Sequence, residues 1–277
     1  MCIKLILFSL ALVWISKITI AQTYSKETVE ITTSLGTMKV KLFNETPLHR
    51  DNFLKLVREH YYDSLLFHRV IQGFMIQGGD PDSKTAGPDK LLGDGDLKYT
   101  VPAEFIPDLF HKKGMLCAAR NGDDVNPTKA SSAAQFYIVQ GKVRDDAELK
   151  KYEKRINKVV IEKIKTDLQN NVDAKNIMDK IVVFKEQKSN DSLLIYNKKL
   201  DEFINPIYEK TPHYVFKSEH INLYKTIGGT PHLDSQYTIY GEVIEGLDVI
   251  DKIAQLETKK DDRPVIDLRM TVRVVGE

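Results

Sequence analysis

One short stretch of the chain combines a guanidinium, an amide and two large apolar side chains beside several glycines. It reads Phe-His-Arg-Val-Ile-Gln-Gly-Phe-Met-Ile-Gln-Gly-Gly-Asp over residues 67–80 and contains Arg69, Phe74, Met75 and Gln77. Arginine offers five donors in a rigid fork and does not lose its charge. A concave apolar surface with a few fixed polar groups is the usual form of a ligand pocket. Such a set could hold an apolar ring of a peptide while fixed donors contact the neighbouring carbonyl groups.

This stretch resembles the signature of the cyclophilin family of peptidyl-prolyl cis-trans isomerases, which is close to Phe-His-Arg-x-Ile-x-Gly-Phe-Met-x-Gln-Gly-Gly-Asp. The alternative is an ordinary strand–turn–strand piece of a core. Further segments resemble the family in the same order along the chain, at residues 35–53, 114–120, 131–138 and 230–241. The resemblance covers most of residues 28–140 and 230–276, and it leaves the segment between them unexplained.

The resemblance implies a role for residues in both parts of the chain. Arg69 corresponds to the catalytic arginine, and we expect Gln77 to serve with it in catalysis. Gln77 and Gln135 correspond to polar residues that hold the substrate backbone. The walls of the proline pocket correspond to Phe74, Met75, Tyr137, Leu233 and Tyr237. The positions beside the bound peptide correspond to Ala119 and Arg120, and the pocket rim corresponds to His232.

Several of these positions depart from the family pattern. His232 replaces the rim tryptophan of the forms that bind cyclosporin tightly, which implies weaker drug binding rather than lost activity. Tyr237 replaces a histidine, and Tyr137 replaces a phenylalanine and adds a hydroxyl that needs a partner or water. Arg120 stands where some members carry asparagine, and there the contact to the peptide is expected from the main chain.

Short β-type runs and turns dominate residues 28–140. Polar and apolar side chains alternate on both sides of Leu35-Gly36, which predicts a hairpin with one buried face. Thr46-Pro47 then begins a helix whose apolar stripe includes Leu48. Residues 136–139 predict a further strand.

Residues 141–227 predict helices instead. Asp145 with Glu148 forms a capping box, and the apolar stripe behind it predicts one amphipathic helix of about six turns. A second stripe predicts a helix that Pro206 should end or kink. A third helical stretch should begin at Thr211-Pro212.

Residues 230–277 return to β-type runs, with one short helix between them. From this texture and the resemblance we predict a mainly β fold, a closed eight-stranded antiparallel cyclophilin-like barrel capped by helices. The barrel would comprise residues 28–140 and 228–277, with an α-helical insertion at 141–227. A single β domain with an insertion fits this order better than two consecutive domains.

The N-terminal residues have the layout of a secretory signal. Lys4 precedes an apolar run from Leu5 to Ile15, and Ala21 supplies a small residue at the expected cut. The run is shorter than the roughly 20 apolar residues of a membrane span, and an uncleaved anchor is the alternative. We expect residues 1–21 to be removed. The mature protein would then be periplasmic or extracellular, with no stable membrane span.

Charge and cysteine content limit the partners and cofactors. The formal net charge is +1, so no large field of one sign favours nucleic acid. After cleavage only Cys117 would remain, in an apolar setting typical of a small core residue. The sequence has no His/Cys cluster with metal-ligand spacing, and we expect no metal, no cofactor and a monomeric protein.

Two functions remain in competition. The first is an exported isomerase that accelerates X–Pro bond rotation in proline-containing peptides and unfolded proteins, with Arg69 as a fixed donor. The alternative is a chaperone or peptide-binding module that uses the same pocket or the helical insertion. Intact Arg69, Gln77 and Gln135 favour the isomerase. A hydrolase ranks behind both, because the sequence has no Gly-x-Ser-x-Gly, no metal motif and no persuasive triad.

Overall fold

The computed structural model of the protein describes residues 28–277, so the predicted signal segment lies outside the described residues. The strands are β1 (Thr28–Thr33), β2 (Gly36–Leu42), β3 (Arg69–Ile71), β4 (Met75–Gly78), β5 (Thr100–Val101), β6 (Met115–Ala118), β7 (Ser131–Ser132), β8 (Phe136–Val139), β9 (Ile239–Glu245) and β10 (Met270–Val274). The α-helices are α1 (Pro47–Arg58), α2 (Asp146–Ile156), α3 (Lys158–Asp167), α4 (Val172–Glu186), α5 (Asn190–Tyr208), α6 (Ser218–Thr226) and α7 (Leu247–Ala254). Short 3₁₀ helices lie at Pro81–Lys84, Leu168–Asn170 and Pro231–Leu233.

Eight of the strands form one antiparallel sheet in the order β10-β1-β2-β9-β6-β8-β4-β3. The predicted closed barrel is wrong, because β10 and β3 are the two edges and the sheet is an open half-barrel. The reason lies at the β3 edge. There the Val70 N–H donates to the carbonyl of Asp262, in the loop before β10, at 2.8 Å. β10 and the residues just before it bond to the segment that precedes β3, through an isolated bridge and a few main-chain hydrogen bonds, instead of forming a strand ladder with β3.

The core of the half-barrel comes from alternate residues of its strands. In the first hairpin, Val29 and Ile31 of β1 and Met38 and Val40 of β2 are fully buried, as the alternation predicts. Phe136 of β8 lies at the centre of the core, with aromatic rings from α1 and the neighbouring loops around it.

Helix α1 turns a different face to this core than the sequence suggests. Leu48, which we placed in the apolar stripe, is half-exposed, whereas the neighbouring His49 is buried. His49 can take the buried position because both of its ring nitrogens find partners, on Glu104 at 2.7 Å and on Ser131 at 2.9 Å.

The predicted six-turn helix is in fact two helices, α2 and α3, separated at Asn157. The Nδ2 of this buried residue lies within 2.9 Å of oxygens on Glu153, Tyr208 and Tyr214, and its Oδ1 accepts from the Tyr214 N–H. The partners Tyr208 and Tyr214 lie more than 50 positions away, and together these contacts satisfy the polar groups at the helix break. Helix α5, by contrast, continues through Pro206 to Tyr208.

The helices between residues 146 and 226 form two groups. Helices α3, α4 and α5, which we call the outer lobe, share a core of Ile164, Leu168, Ala174, Leu200, Ile204 and Tyr208. Helices α2 and α6, which we call the inner pair, pack onto the loop before β6 through Phe110, Leu149, Phe216 and Tyr224. Helix α6 begins at Ser218 rather than at Thr211 as predicted. No helix in residues 28–277 is long and apolar enough to cross a membrane.

Acid is expected to destabilise this fold through His68, which lies in the stretch at 67–80. Burial lowers the pKa of His68 to about 4, against about 6.5 for an unfolded histidine. Between these values the unfolded chain binds more protons, so stability present above pH 6.5 is lost as pH falls toward 4. We expect His68 to contribute a loss of about 2–3 kcal/mol in unfolding free energy between pH 7.5 and pH 4.5.

Urea unfolding at these two pH values measures the effect. His68→Asn should reduce the pH dependence by roughly this amount, because asparagine does not titrate. His60→Asn is the matched control, since His60 is exposed and its left-handed backbone (φ 56°) suits asparagine. Equal pH dependence in wild type and His68→Asn would contradict the assignment.

Candidate functional site

An apolar pocket of about 160 Å³ opens on one face of the sheet. Cross-strand pairing brings its centre together: Arg69 of β3 lies opposite Gln77 of β4, and Gln77 lies opposite Tyr137 of β8. Residues directly opposite one another point to the same face of the sheet. The residues that line the pocket are Arg69, Phe74, Met75, Gln77, Ala119, Arg120, Tyr137, Leu233 and Tyr237.

Gln135 and His232, which we also predicted for the site, lie just outside this pocket. Gln135 lines an adjoining polar pocket of about 250 Å³ that shares Gln77, Ala119 and Arg120 with the first. His232 lies behind one wall, with its ring stacked on Phe74 at 5.6 Å. The structure therefore brings every predicted site residue into one region and divides that region into two connected cavities.

The Arg69 guanidinium is held from two sides. Its Nε donates to a carboxylate oxygen of Asp262 at 3.3 Å, and its Nη1 lies 3.5 Å from Oε1 of Gln77. The arginine side chain remains 42% exposed, so it stays accessible to a bound molecule. These contacts restrict the direction of the side chain and leave Nη2 without a hydrogen-bond partner among residues 28–277.

A chain of amides continues from Arg69 into the polar pocket. Gln77 donates through Nε2 to Oε1 of Gln135 at 3.0 Å. Gln135 in turn donates to the carbonyls of Gly93 and Gly95, at 2.8 and 2.5 Å. The orientation of each amide is thereby determined by its neighbour, which preorganises the polar side of the site.

The hydroxyl of Tyr137 has the partner that its burial requires. It lies 3.0 Å from Nε2 of His111, which is fully buried in the loop before β6. Burial raises the pKa of the Tyr137 hydroxyl well above its usual value, so this group keeps its proton. Tyr137 therefore acts as an apolar wall whose position is set by a hydrogen bond behind it.

Arg120 braces another wall instead of pointing into the pocket. Its guanidinium lies 4.5 Å from the centre of the Tyr237 ring, and its Nε donates to the Gln236 carbonyl at 2.9 Å. Ala119 uses both its N–H and its C=O within the protein, on Gln135 and Ser132. Within residues 28–277, no hydrogen bond uses the main-chain N–H or C=O of Arg120, a residue that lines both pockets, so these groups remain available to a bound molecule.

Helix α2 extends the rim of the pocket. The ring of Tyr152 lies 5.4 Å from His232, which in turn stacks on Phe74. Burial, reinforced by the nearby Arg155, lowers the pKa of His232 to about 4. His232 is therefore uncharged at neutral pH, and it lies between the rings of Tyr152 and Phe74.

Three other features bear on the chemistry of the protein. Ser131, His49 and Glu104 are hydrogen-bonded like a hydrolase triad, yet Ser131 is buried and the neighbouring cavity measures only about 10 Å³. That space holds at most one water molecule, so a substrate cannot reach the hydroxyl. Within residues 28–277, no group of three His, Cys, Asp or Glu side chains could hold a metal ion. Burial also raises the pKa of the Cys117 thiol, which suits a core residue and not a nucleophile.

Sequence reasoning missed the residues that hold the site from behind. Asp262 lies in the charged run Lys-Lys-Asp-Asp-Arg at 259–263, which has the composition of a solvated turn. His111 and Tyr152 lie outside the segments that carry the motifs. Their proximity to Tyr137 and His232 depends on contacts across more than 20 residues of chain. The positive backbone φ of Asp262, 64°, marks a tight turn but could not be read from one sequence.

Comparison with known families gives one match that covers most of the chain. A family model described as "Cyclophilin type peptidyl-prolyl cis-trans isomerase/CLD" matches residues 28–183 and 216–274. Among solved structures, a cyclophilin type peptidyl-prolyl cis-trans isomerase of Cryptosporidium parvum is similar with a TM-score of 0.50 and 18% identity. The similarity covers 90% of this chain and 99% of that one, and at this identity it supports the fold alone.

Proteins similar in sequence are also named as peptidyl-prolyl cis-trans isomerases. A Staphylococcus haemolyticus protein named as a peptidyl-prolyl cis-trans isomerase is 27% identical over 87% of this chain and 86% of its own length. A Dictyostelium discoideum protein named peptidyl-prolyl cis-trans isomerase-like 3 is 40% identical over 42% of this chain and 66% of its own. A Streptococcus pyogenes protein named as a bifunctional phosphatase/peptidyl-prolyl cis-trans isomerase is 28% identical over 87% of this chain. This chain spans 37% of the length of that bifunctional protein.

Proposed function

We propose, since this chain belongs to the cyclophilin type peptidyl-prolyl cis-trans isomerase family, that it accelerates rotation about X–Pro bonds in peptides and unfolded proteins. The observation that carries the proposal is the Arg69 guanidinium at an apolar pocket, oriented by Asp262 and Gln77. The similar Cryptosporidium parvum structure was determined in the presence of the dipeptide Ala-Pro, which supports a proline-containing ligand.

Arg69 has the chemistry that this reaction needs. Amide resonance gives the X–Pro bond a rotation barrier of about 18–20 kcal/mol, and no bond has to be made or broken. As the amide twists, the proline nitrogen becomes pyramidal and gains a lone pair. A donor aimed at that nitrogen interacts more strongly with the twisted amide than with either planar form, which is the condition for catalysis. Nη2 of Arg69 is the nitrogen left to make this contact.

The other residues hold the two sides of the rotating bond. The apolar walls, including Met75, Tyr137 and Leu233, would bind the proline ring and keep it still. The free main-chain groups of Arg120 and the amide of Gln77 would bind the peptide backbone on the other side. Since these donors are already oriented, little reorganisation accompanies the twist.

A direct test measures cis–trans exchange of an Ala-Pro peptide by NMR, with and without the protein. We expect the exchange rate to increase in proportion to the protein concentration, with no cofactor or metal added. An exchange time that stays at the spontaneous value, tens to hundreds of seconds at 25 °C, would contradict the proposal.

We extend the proposal to location and organisation. The layout of residues 1–21 supports a cleaved signal and a periplasmic or extracellular mature protein. The clustering of α2–α6 between residues 146 and 226 supports a helical insertion at 141–227 in a catalytic unit formed by 28–140 and 228–277. An N-terminus beginning at Gln22 in protein recovered from the exported fraction would support the signal, and an intact N-terminus there would contradict it.

A second function, holding unfolded chains, is favoured by one feature of the outer lobe. Where α4 and α5 meet, their ends expose four apolar side chains: Val182, Val183, Leu194 and Ile195. Such grouped apolar surface on a water-soluble protein is often a binding site. We propose that this tip captures unfolded chains and raises their concentration near the pocket.

Paired substitutions separate this function from catalysis. Leu194→Gln with Ile195→Gln should weaken the suppression of aggregation of an unfolded protein and leave isomerisation of a short peptide unchanged. The matched control is Val265→Gln with Ile266→Gln, because these residues are equally exposed but lie in a loop far along the chain from the lobe. Equal aggregation behaviour of both double variants would contradict a binding role for the tip.

A further inference from the structure

A chain of buried hydrogen bonds runs from the inner pair of helices to the wall of the apolar pocket. The hydroxyl of Tyr224, on α6, donates to Oδ2 of Asp234 at 2.7 Å. The other oxygen, Oδ1, lies 2.8 Å from Nδ1 of His111 and accepts from the His111 main-chain N–H at 2.8 Å. Nε2 of the same ring lies 3.0 Å from the hydroxyl of Tyr137, the pocket wall.

All four residues of this hydrogen-bond chain are buried. Tyr224 and His111 are 0% exposed, Asp234 is 1% exposed and Tyr137 is 5% exposed. Every donor and acceptor is matched when the His111 ring carries its proton on Nδ1, so that Nε2 accepts from the Tyr137 hydroxyl. A fully satisfied buried network of this kind is rigid, because breaking one link leaves another polar group unpaired.

The hydrogen-bond chain positions two walls of the pocket. Tyr137 is one wall, and its hydroxyl is the last group of the chain. Asp234 follows directly after Leu233, a second wall, at the end of the 3₁₀ helix Pro231–Leu233. Tyr224 of α6 anchors both walls through Asp234, and it is not among the residues that line the pocket.

We propose that Tyr224 is a positioning residue for isomerisation, and that the inner pair of helices is thereby a working part of the proline site. Tyr224 holds Asp234 and His111 in place, and these hold Leu233 and Tyr137 at the spacing that a proline ring fills. The inference rests on the proposed isomerase function. It assigns to the inner pair of helices a role in the pocket that is separate from any capture of unfolded chains by the outer lobe.

Tyr224→Phe tests the proposal with the smallest change. The variant removes only the hydroxyl that bonds to Asp234 and keeps the ring, which packs edge-on against Phe110 and Phe216. We expect kcat/KM for an Ala-Pro peptide to fall about 3- to 10-fold, the scale of a lost coupling between neighbouring residues. Peptide affinity, measured by NMR titration, should fall as well.

A double-mutant cycle separates positioning from general stability. Tyr137→Phe cuts the hydrogen-bond chain at the pocket end, so adding Tyr224→Phe to that background should cost less than it does in wild type, because only the route through Asp234 to Leu233 remains. Tyr208→Phe is the matched control. It removes another buried tyrosine hydroxyl, bonded to Asn157 in the outer lobe, and should lower the melting temperature without changing kcat/KM.

Each outcome bears on the inference. A fall in kcat/KM for Tyr224→Phe that is smaller in the Tyr137→Phe background supports it. No fall, or the same fall in both backgrounds, overturns it, because Tyr224 would then not act on the pocket through Asp234, His111 and Tyr137. If the wild-type protein itself does not accelerate exchange, the isomerase function fails. The positioning role is then decided by the peptide affinities of the four proteins of the cycle: wild type, Tyr224→Phe, Tyr137→Phe and the double variant.

Discussion

Replacing Arg69 by alanine is expected to lower kcat/KM for X–Pro isomerisation by on the order of 10²–10³, the scale of one lost preorganised donor. The loss should appear mainly in kcat, because the donor is needed when the amide twists and not when the planar peptide binds. NMR exchange under saturating peptide measures kcat, and titration measures affinity. A folded Arg69→Ala protein with full activity would refute the role of this residue.

Two further variants sharpen the test at Arg69. Arg69→Lys keeps the charge but loses the planar fork, so it cannot meet Asp262, Gln77 and the substrate together, and we expect an intermediate loss. Arg273→Ala is the control, since this exposed arginine of the edge strand β10 forms a similar ion pair, with Asp63. Its activity should equal that of wild type. A comparable loss there would mean that surface charge, rather than position, governs the rate.

Replacing Gln135 by alanine is expected to lower kcat/KM by about 10- to 100-fold. The substitution leaves three groups without their partner: the Gln77 amide and the carbonyls of Gly93 and Gly95. The expected range corresponds to about 1.4–2.7 kcal/mol of lost transition-state stabilisation, because each 1.36 kcal/mol in the barrier is tenfold in rate. Gln77 would lose its fixed orientation, and the guanidinium of Arg69 would lose one of its two supports.

Gln135→Glu distinguishes the two sides of this amide. The variant keeps an acceptor for Gln77 but replaces the donor to Gly93 and Gly95 by an oxygen, which those carbonyls repel. We expect a loss close to that of Gln135→Ala, together with a lower melting temperature. Gln255→Ala, at an exposed helix end, should match wild type in both measurements. Wild-type activity in Gln135→Glu would show that the link to the glycine carbonyls does not matter.

The residues of the motif segment could be predicted together because the family resemblance rests on one contiguous stretch of sequence. Arg69 and Gln77 lie on β3 and β4, which are joined by a turn at Gly73, where φ is +75°. A hairpin of this kind determines which residues stand opposite one another, and alternation along each strand determines which share a face. The pairing with Tyr137 then follows from the register of β8.

The predictions that failed all concern contacts between distant parts of the chain. The apolar stripe after Asp145 is continuous in sequence, but buried polar partners from Tyr208 and Tyr214 end the helix at Asn157. The sheet has the strands for a barrel, but β10 forms no strand ladder with β3, which leaves it open. Neither event has a local sequence signal, because each depends on which surfaces meet.

The sequence by itself indicated the family and the β framework, because periodicity and a contiguous motif are local properties, and the family resemblance then implied the residues of the pocket. Only the tertiary structure decided what holds those residues. Asp262 supports Arg69, and Tyr224 reaches Tyr137 through Asp234 and His111, across loops and helices far apart in the chain. Buried polar groups must find partners wherever the packing brings them, and one sequence does not record which partner will be near.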